Sequence, residues 1–240
     1  DSETDHEESL MIDWAVITAP RPVSTLDESL KSFRQAGFDG QVSVMADGFD
    51  PAPIDENCIV QSSSRLGSLK NWQRALHVLY MKNKNGFIGI FEDDVTGARQ
   101  SASVLHSEID DMGSIAVSAG YLSLHLFDKH AEEIPAAKHK WRNWHVSNYG
   151  RRCAGAQCYV VPRASAKLLL KNKFFRTLCE EGTMNADHAV SWSMQKMELP
   201  CWYRMPSLVN HSLGLRNSAM GHKISWDTKH WEEEARVYAV

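Results

Sequence analysis

The stretch Phe87-Ile88-Gly89-Ile90-Phe91-Glu92-Asp93-Asp94-Val95 decides the fold. Five residues suited to a buried strand run straight into three consecutive carboxylates, and Gly86 and Gly97 interrupt regular structure near either end. Such an apolar run belongs to the interior of an α/β sheet, whose ligands gather beyond the carboxyl ends of its strands. The acids stand at that end. Neighbouring carboxylates repel one another, and side chains alternate in direction along a strand, so Glu92 and Asp94 point one way and Asp93 the other. A divalent cation is the simplest neutraliser. Read alone, the three acids serve equally well as a turn capping the next helix.

The residues upstream favour an alternation of strands and helices. Trp14 to Thr18 reads as a short buried strand, stopped by Ala19-Pro20-Arg21-Pro22 because proline continues neither a central strand nor a helix. Thr25-Leu26-Asp27-Glu28 has capping-box spacing, and Leu26, Leu30 and Phe33 recur at helical intervals until Gly37. Gln41 to Ala46 predicts a second strand, ended by Asp47-Gly48, and Cys58 to Gln61 a third. A helix from Ser68 carries Leu69, Trp72, Leu76 and Leu79 on one face, and Asn83 to Gly86 turns the chain into the acidic strand. This order implies a mostly parallel sheet with helices on its faces.

Downstream, Val104, Leu105, Ile109 and Met112 mark another helix, and Ile115 to Leu126 contains a strand or two. Lys138 to Arg152 holds five Lys or Arg, two His, two Trp and one Tyr without an acid, and reads as a loop. Ala156 to Val161 is a strand stopped by Pro162, Ser165 to Leu170 a short helix, and Met184 to about Met197 a further helix. Trp202-Tyr203 suggests a last strand, and Pro206 to Gly221 a loop. No repeat and no linker emerges. The expected organisation is an acidic, flexible start over 1–13 and one domain over 14–240, with a nucleotide-binding half (14–125) and an acceptor-binding half (126–240).

The 240 residues suffice for a core without disulfide support. A hydrophobic share of 43% and a net charge of -4 fit a globular protein that does not coat polyanions with its whole surface. Five cysteines scatter without a CxxC pair, which suggests reduced thiols, a cytoplasmic setting (a host cytoplasm for a viral protein) and no zinc site. No apolar run reaches the roughly 18 residues of a membrane span. Several strand ends suit a nucleotide: Thr18 and Arg21 after the first strand and Asp47 after the second, where Asp can accept from ribose or base and Arg can pair with phosphate. Neither GxxxxGK[ST] nor GxGxxG is present, which argues against P-loop and dinucleotide folds.

Taken in order, Thr18-Ala19-Pro20-Arg21-Pro22, Asn71-Trp72-Gln73-Arg74-Ala75-Leu76 and Phe91-Glu92-Asp93-Asp94-Val95 resemble a GT-A fold glycosyltransferase, with Glu92-Asp93-Asp94 in place of its DxD motif. The likeness continues through Gly155-Ala156-Gln157-Cys158-Tyr159-Val160-Val161-Pro162, Asn185-Ala186-Asp187-His188 and Pro206-Ser207-Leu208-Val209-Asn210-His211, and spans about residues 14–220. Each motif is short, so its specificity lies in order and spacing. The first acid is Glu rather than Asp, which leaves open which acid meets the metal and which the ribose.

The resemblance implies transfer of a sugar from a nucleotide-sugar, with a UDP-sugar as the expected donor. Thr18, Arg21, Asp47, Asn71, Glu92 and Asp93 become the expected donor contacts, and Arg216 and Ser218 would close over the phosphates from a lid. Asp94 and His211 are the expected ligands of Mn²⁺ or Mg²⁺, imidazole favouring Mn²⁺. Asp187 is the expected general base, and inversion is favoured over retention. Trp141, Trp144, Arg151, Arg152, Gly155 and Ala156 form the expected acceptor side, where aromatics stack and cations meet phosphates or acidic sugars. The acceptor is a hydroxyl of a glycan or, in a viral-type alternative, of a hydroxylated DNA base. A non-catalytic nucleotide- or sugar-binding module is a further alternative. A nucleotidyltransferase is disfavoured, since no Gly- and Arg-rich loop follows the first strand.

Overall fold

The computed structural model describes residues 11–51, 56–82, 84, 86–125, 140–146 and 157–211. β1 (Ile12–Thr18), α1 (Leu26–Gln35), β2 (Val42–Asp47), β3 (Cys58–Ser63), α2 (Ser68–Lys82) and β4 (Phe87–Glu92) follow the predicted order. After them come β5 (Thr96–Gly97), α3 (Ser101–Met112), α4 (Ser114–Val117), β6 (Tyr121–Ser123), β7 (Lys140–Trp141) and β8 (Trp144–Val146). The last elements are β9 (Cys158–Pro162), α5 (Arg163–Lys171), α6 (Lys173–Glu181), α7 (Ala186–Lys196), β10 (Cys201–Arg204) and β11 (Val209–Asn210). Among the described residues no helix is long and apolar enough to cross a membrane.

Nine strands form one sheet in the order β3-β2-β1-β4-β9-β6-β10-β8-β7, while β5 and β11 pair separately. The sheet is mixed. β3, β2, β1 and β4 run parallel, as does the β6–β10 pair, and the remaining pairings are antiparallel. The parallel half places the carboxyl ends of β1, β2 and β4 at one edge, with Ile17 opposite both Met45 and Glu92.

The period of two along each strand sorts the core into two layers. Trp14 and Val16 of β1 with Phe87 and Phe91 of β4 pack against Leu30 and Phe33 of α1 and Leu105 and Ile109 of α3. Ala15, Ile17, Ile88 and Ile90 face the other way, onto Trp72 and Leu76 of α2, Leu169 of α5, Phe175 of α6 and Val190 of α7. Aromatic rings lock the first layer: Phe33 stacks on Phe91 at 4.4 Å, and Trp14 meets Phe33 edge-on at 5.0 Å. Gly89 sits opposite Trp14, and a Cβ there would lie 2.2 Å from the indole ring. The glycine in the deciding strand is therefore the space that the tryptophan fills.

The segment from Ile115 to His125 holds one strand, within the one or two expected, preceded by a single helical turn. Several elements differ from expectation. Part of the basic stretch expected to loop forms the β7–β8 hairpin, with Trp144 and Val146 in the core. Leu208 to Asn210, expected in a loop, are tied down as well, since β11 pairs with β5 and Leu208 donates its N–H to the Leu124 carbonyl. α6 has no counterpart in the sequence pattern; the Asn172 side chain caps it by accepting from the Phe175 N–H, and Gly182 closes it in the left-handed conformation. The expected Thr25 capping box is not formed, because the Thr25 side chain makes no cap hydrogen bond.

Gly89→Ala forces a methyl group into the Trp14 ring, an overpacking that costs about 1–3 kcal/mol. The melting temperature should fall by several degrees, and Gly89→Ala/Trp14→Leu should lose less stability than the sum of the two single changes, as measured by urea denaturation.

Candidate metal centre

At the carboxyl end of β4 the chain presents Glu92, Asp93 and Asp94 to different neighbours. Glu92 is anchored through its backbone N–H to the Gln157 carbonyl at 2.9 Å, and the Asp93 N–H reaches the Ile17 carbonyl at 3.2 Å. The Asp93 carboxylate turns toward the end of β1, where it accepts from the Thr18 hydroxyl and from two nitrogens of Arg21. Arg21 also donates to Asp94 Oδ2 at 2.8 Å. Its side chain is only 8% exposed, so one buried guanidinium spans two of the three acids.

Glu92 and Asp94 converge instead on His211, and one ligand atom from each lies within 4.8 Å of the others. His211 follows directly on β11, so the β5–β11 ladder carries it to the acids. Further ties hold this segment: Ala98 N–H to the Leu208 carbonyl at 3.0 Å, Ser101 Oγ to the same carbonyl at 2.8 Å, and His125 Nδ1 to the Val209 carbonyl at 3.1 Å. Behind them Arg204 makes a two-pronged pair with Glu108 of α3, at 2.8 and 3.0 Å, and donates to the Pro206 carbonyl. Trp144 Nε1 donates to the same Glu108 at 2.8 Å.

The donor set fits a divalent cation. Among the described residues Asp94 Oδ1 and both ring nitrogens of His211 are buried without a hydrogen-bond partner. His211 Nε2 lies 3.1 Å from Asp94 Oδ2, near enough for an ion pair but misaligned for a hydrogen bond. Buried polar atoms left unpaired are costly, and an ion between two carboxylates and an imidazole would engage a carboxylate oxygen and one of the two ring nitrogens.

Without such an ion the cluster holds protons. Burial, reinforced by the charges of Asp94 and Asp187, pushes Glu92 up to about 8 against the opposing pull of His211 and Arg21. Burial likewise raises Asp93 to about 6 although Arg21 works against it. Burial would raise Asp94 too, but His211 and Arg21 outweigh it and hold the carboxyl below its ordinary range. His211 is raised, because Asp94 and Glu92 overcome the effect of burial.

Asp187 opens α7, its Oδ1 accepting from the His188 N–H at 2.8 Å, and its charge reaches Glu92. Thr18 and Arg21 are committed to the acids, a different placement from the donor contacts expected of them. Asp47 accepts from the Leu66 and Gly67 N–H groups and so shapes the loop before α2, while Asn71 donates to the Met45 carbonyl at 2.8 Å. Trp144 corrects an expectation: at 0% exposure and bonded to Glu108 it is a core residue and cannot stack on an acceptor. Trp141 is partly buried, with the Arg142 guanidinium 4.7 Å above its ring. Arg151, Arg152, Gly155, Ala156, Arg216 and Ser218 lie outside the described residues.

His125 escaped the sequence reading. It is buried beside His211, ring centroids 6.5 Å apart, and burial holds it down to about 4, so it stays neutral. A histidine between Leu124 and Leu126 at a strand end was the available signal. No protein-family model matches the chain, and no curated protein matches it.

Metal binding needs Glu92 ionised and His211 neutral, so it displaces protons and strengthens as pH rises. Glu92 is raised from 4.5 to about 8; the stability of its neutral buried form is present below 4.5 and lost as pH rises through 8. The melting temperature without metal should therefore decline across that window, and the upward shift given by Mn²⁺ should be larger at pH 8 than at pH 6. Asp94→Asn or His211→Ala should remove the Mn²⁺ shift, read by scanning fluorimetry.

Proposed function

We propose that the chain is a metal-dependent glycosyltransferase that moves a sugar from a nucleotide-sugar, a UDP-sugar in the first instance, to a hydroxyl acceptor with inversion. The observation that carries this reading is the convergence of Glu92, Asp94 and His211 beyond the carboxyl end of a parallel strand, with buried ligand atoms of Asp94 and His211 left unpaired. Ligands of α/β sheets collect at that edge. The likeness of the ordered motifs to GT-A glycosyltransferases supports the choice of chemistry.

Glu92, Asp94 and His211 are the residues that would hold Mn²⁺ or Mg²⁺. When bound, such a cation neutralises, as a Lewis acid, the negative charge that grows on the departing nucleoside diphosphate. Asp93 acts indirectly in this scheme. Held by Thr18 and Arg21, it fixes the end of β1 against the end of β4, and Arg21 orients Asp94 from behind. Asp187 removes the proton from the acceptor hydroxyl as that oxygen attacks the anomeric carbon. The His188 N–H fixes one of its oxygens.

Asp187→Asn should lower transfer by about 10²–10⁴-fold, the range of general-base contributions, while leaving the thermal shift from UDP-sugar with Mn²⁺ intact. Asp94→Asn should remove both. The reading fails if UDP-, GDP-, CMP- and dTDP-sugars all leave the melting temperature unchanged in the presence of Mn²⁺ and none is turned over.

A further inference from the structure

On the α2 face of the sheet, away from the acids, lies a groove of about 750 Å³ between α2, α5 and α6. It runs from Leu66, just before α2, along that helix to Met81, a length of about 20 Å at 1.5 Å per helical residue. Apolar groups line it, among them Leu66, Leu170, Cys179 and Met81, the last 69% exposed. Lys70, Arg74, Lys167, Lys171 and Arg176 line it too, from three different helices, and Glu180 is the sole carboxylate in the lining. Arg74 is held by the Gln61 carbonyl, and none of the other four cations has an ion-pair partner among the described residues. Gathered in one concavity, these cations make it attractive to an anion.

We propose that this groove docks an acidic amphipathic helix of a partner protein. A helix of about four turns matches the length of the groove, its apolar stripe would cover the apolar lining, and flanking carboxylates would meet the lysines and Arg176. Nucleic acid fits less well. A duplex is held through its phosphates and has no use for an apolar floor, and a single strand calls for stacking aromatics. His77 and Tyr80 are the two aromatic rings of the lining, and the Arg163 guanidinium covers Tyr80 at 4.4 Å. A small phosphate would draw the cations to one point, whereas here they are spread over three helices.

The probe is a synthetic 15-residue helix with a leucine stripe flanked by glutamates, labelled and titrated with the full chain by fluorescence anisotropy. We expect saturable binding that weakens with salt and drops at least tenfold in Lys167→Glu/Lys171→Glu. Both residues are exposed, so this variant should keep its melting temperature and its Mn²⁺ shift. A peptide of the same composition in scrambled order should bind at least tenfold more weakly. The proposal is overturned if the intact chain does not bind the helix at 100 µM, on the order of weak protein contacts. It is equally overturned if the double variant or the scrambled peptide binds unchanged. Tighter binding of a 15-nucleotide single strand than of the helix would make the groove a nucleic-acid surface and sink the protein-partner assignment.

Discussion

Three adjacent carboxylates at the end of a buried strand cannot remain charged and desolvated without compensation, and the architecture around them is the means of compensation. Arg21 supplies one positive charge from the turn after β1, where Pro20 and Pro22 have already ended the strand. His211 supplies the other partner from a segment far away in the chain, brought in by the β5–β11 ladder. The two halves of the sheet meet at β4, paired to β1 on one side and β9 on the other, so the acids lie on the seam between them.

This arrangement divides labour among residues that look alike in sequence. Asp93 is absorbed into the scaffold, since Thr18 and Arg21 satisfy it, whereas Asp94 Oδ2 meets both Arg21 and His211 and its Oδ1 is buried without a hydrogen-bond partner. Glu92 takes the largest upward displacement because it is buried with Asp94 and Asp187 adding negative potential and little direct pairing to offset it. A buried carboxyl that holds its proton near neutrality is costly to ionise, and a cation is the natural means of lowering that cost.

Legibility in the sequence followed the range of the interactions. β1, β2 and β4 were plain because both of their faces are buried and apolar residues dominate them, and α1 and α2 because their apolar positions repeat at helical spacing. β5 and β11, two residues each, exist only through pairing with one another, so no local pattern could reveal them. The β7–β8 hairpin hid behind its basic composition, although Trp144 and Val146 already alternate across it. At the site, the pairing of Asp94 with a late histidine followed from motif order, whereas Glu92, expected at the donor, stands with them as a third possible ligand. The roles of Arg21 and Asp47 did not, because an arginine or aspartate at a strand end looks the same whether it awaits a ligand or anchors its own backbone.

The fit of Trp14 against Gly89 reaches beyond stability. Glu92 lies three residues along the same strand from Gly89, about 10 Å at 3.3 Å per residue, with no turn or bulge between them. A stiff strand transmits displacement along its length, so the separation of β1 and β4 at this contact helps set where Thr18 and the acids meet. Position 89 thus acts as a lever on the cluster, a place where evolution or an engineer can adjust the spacing of the ligands without altering any of them.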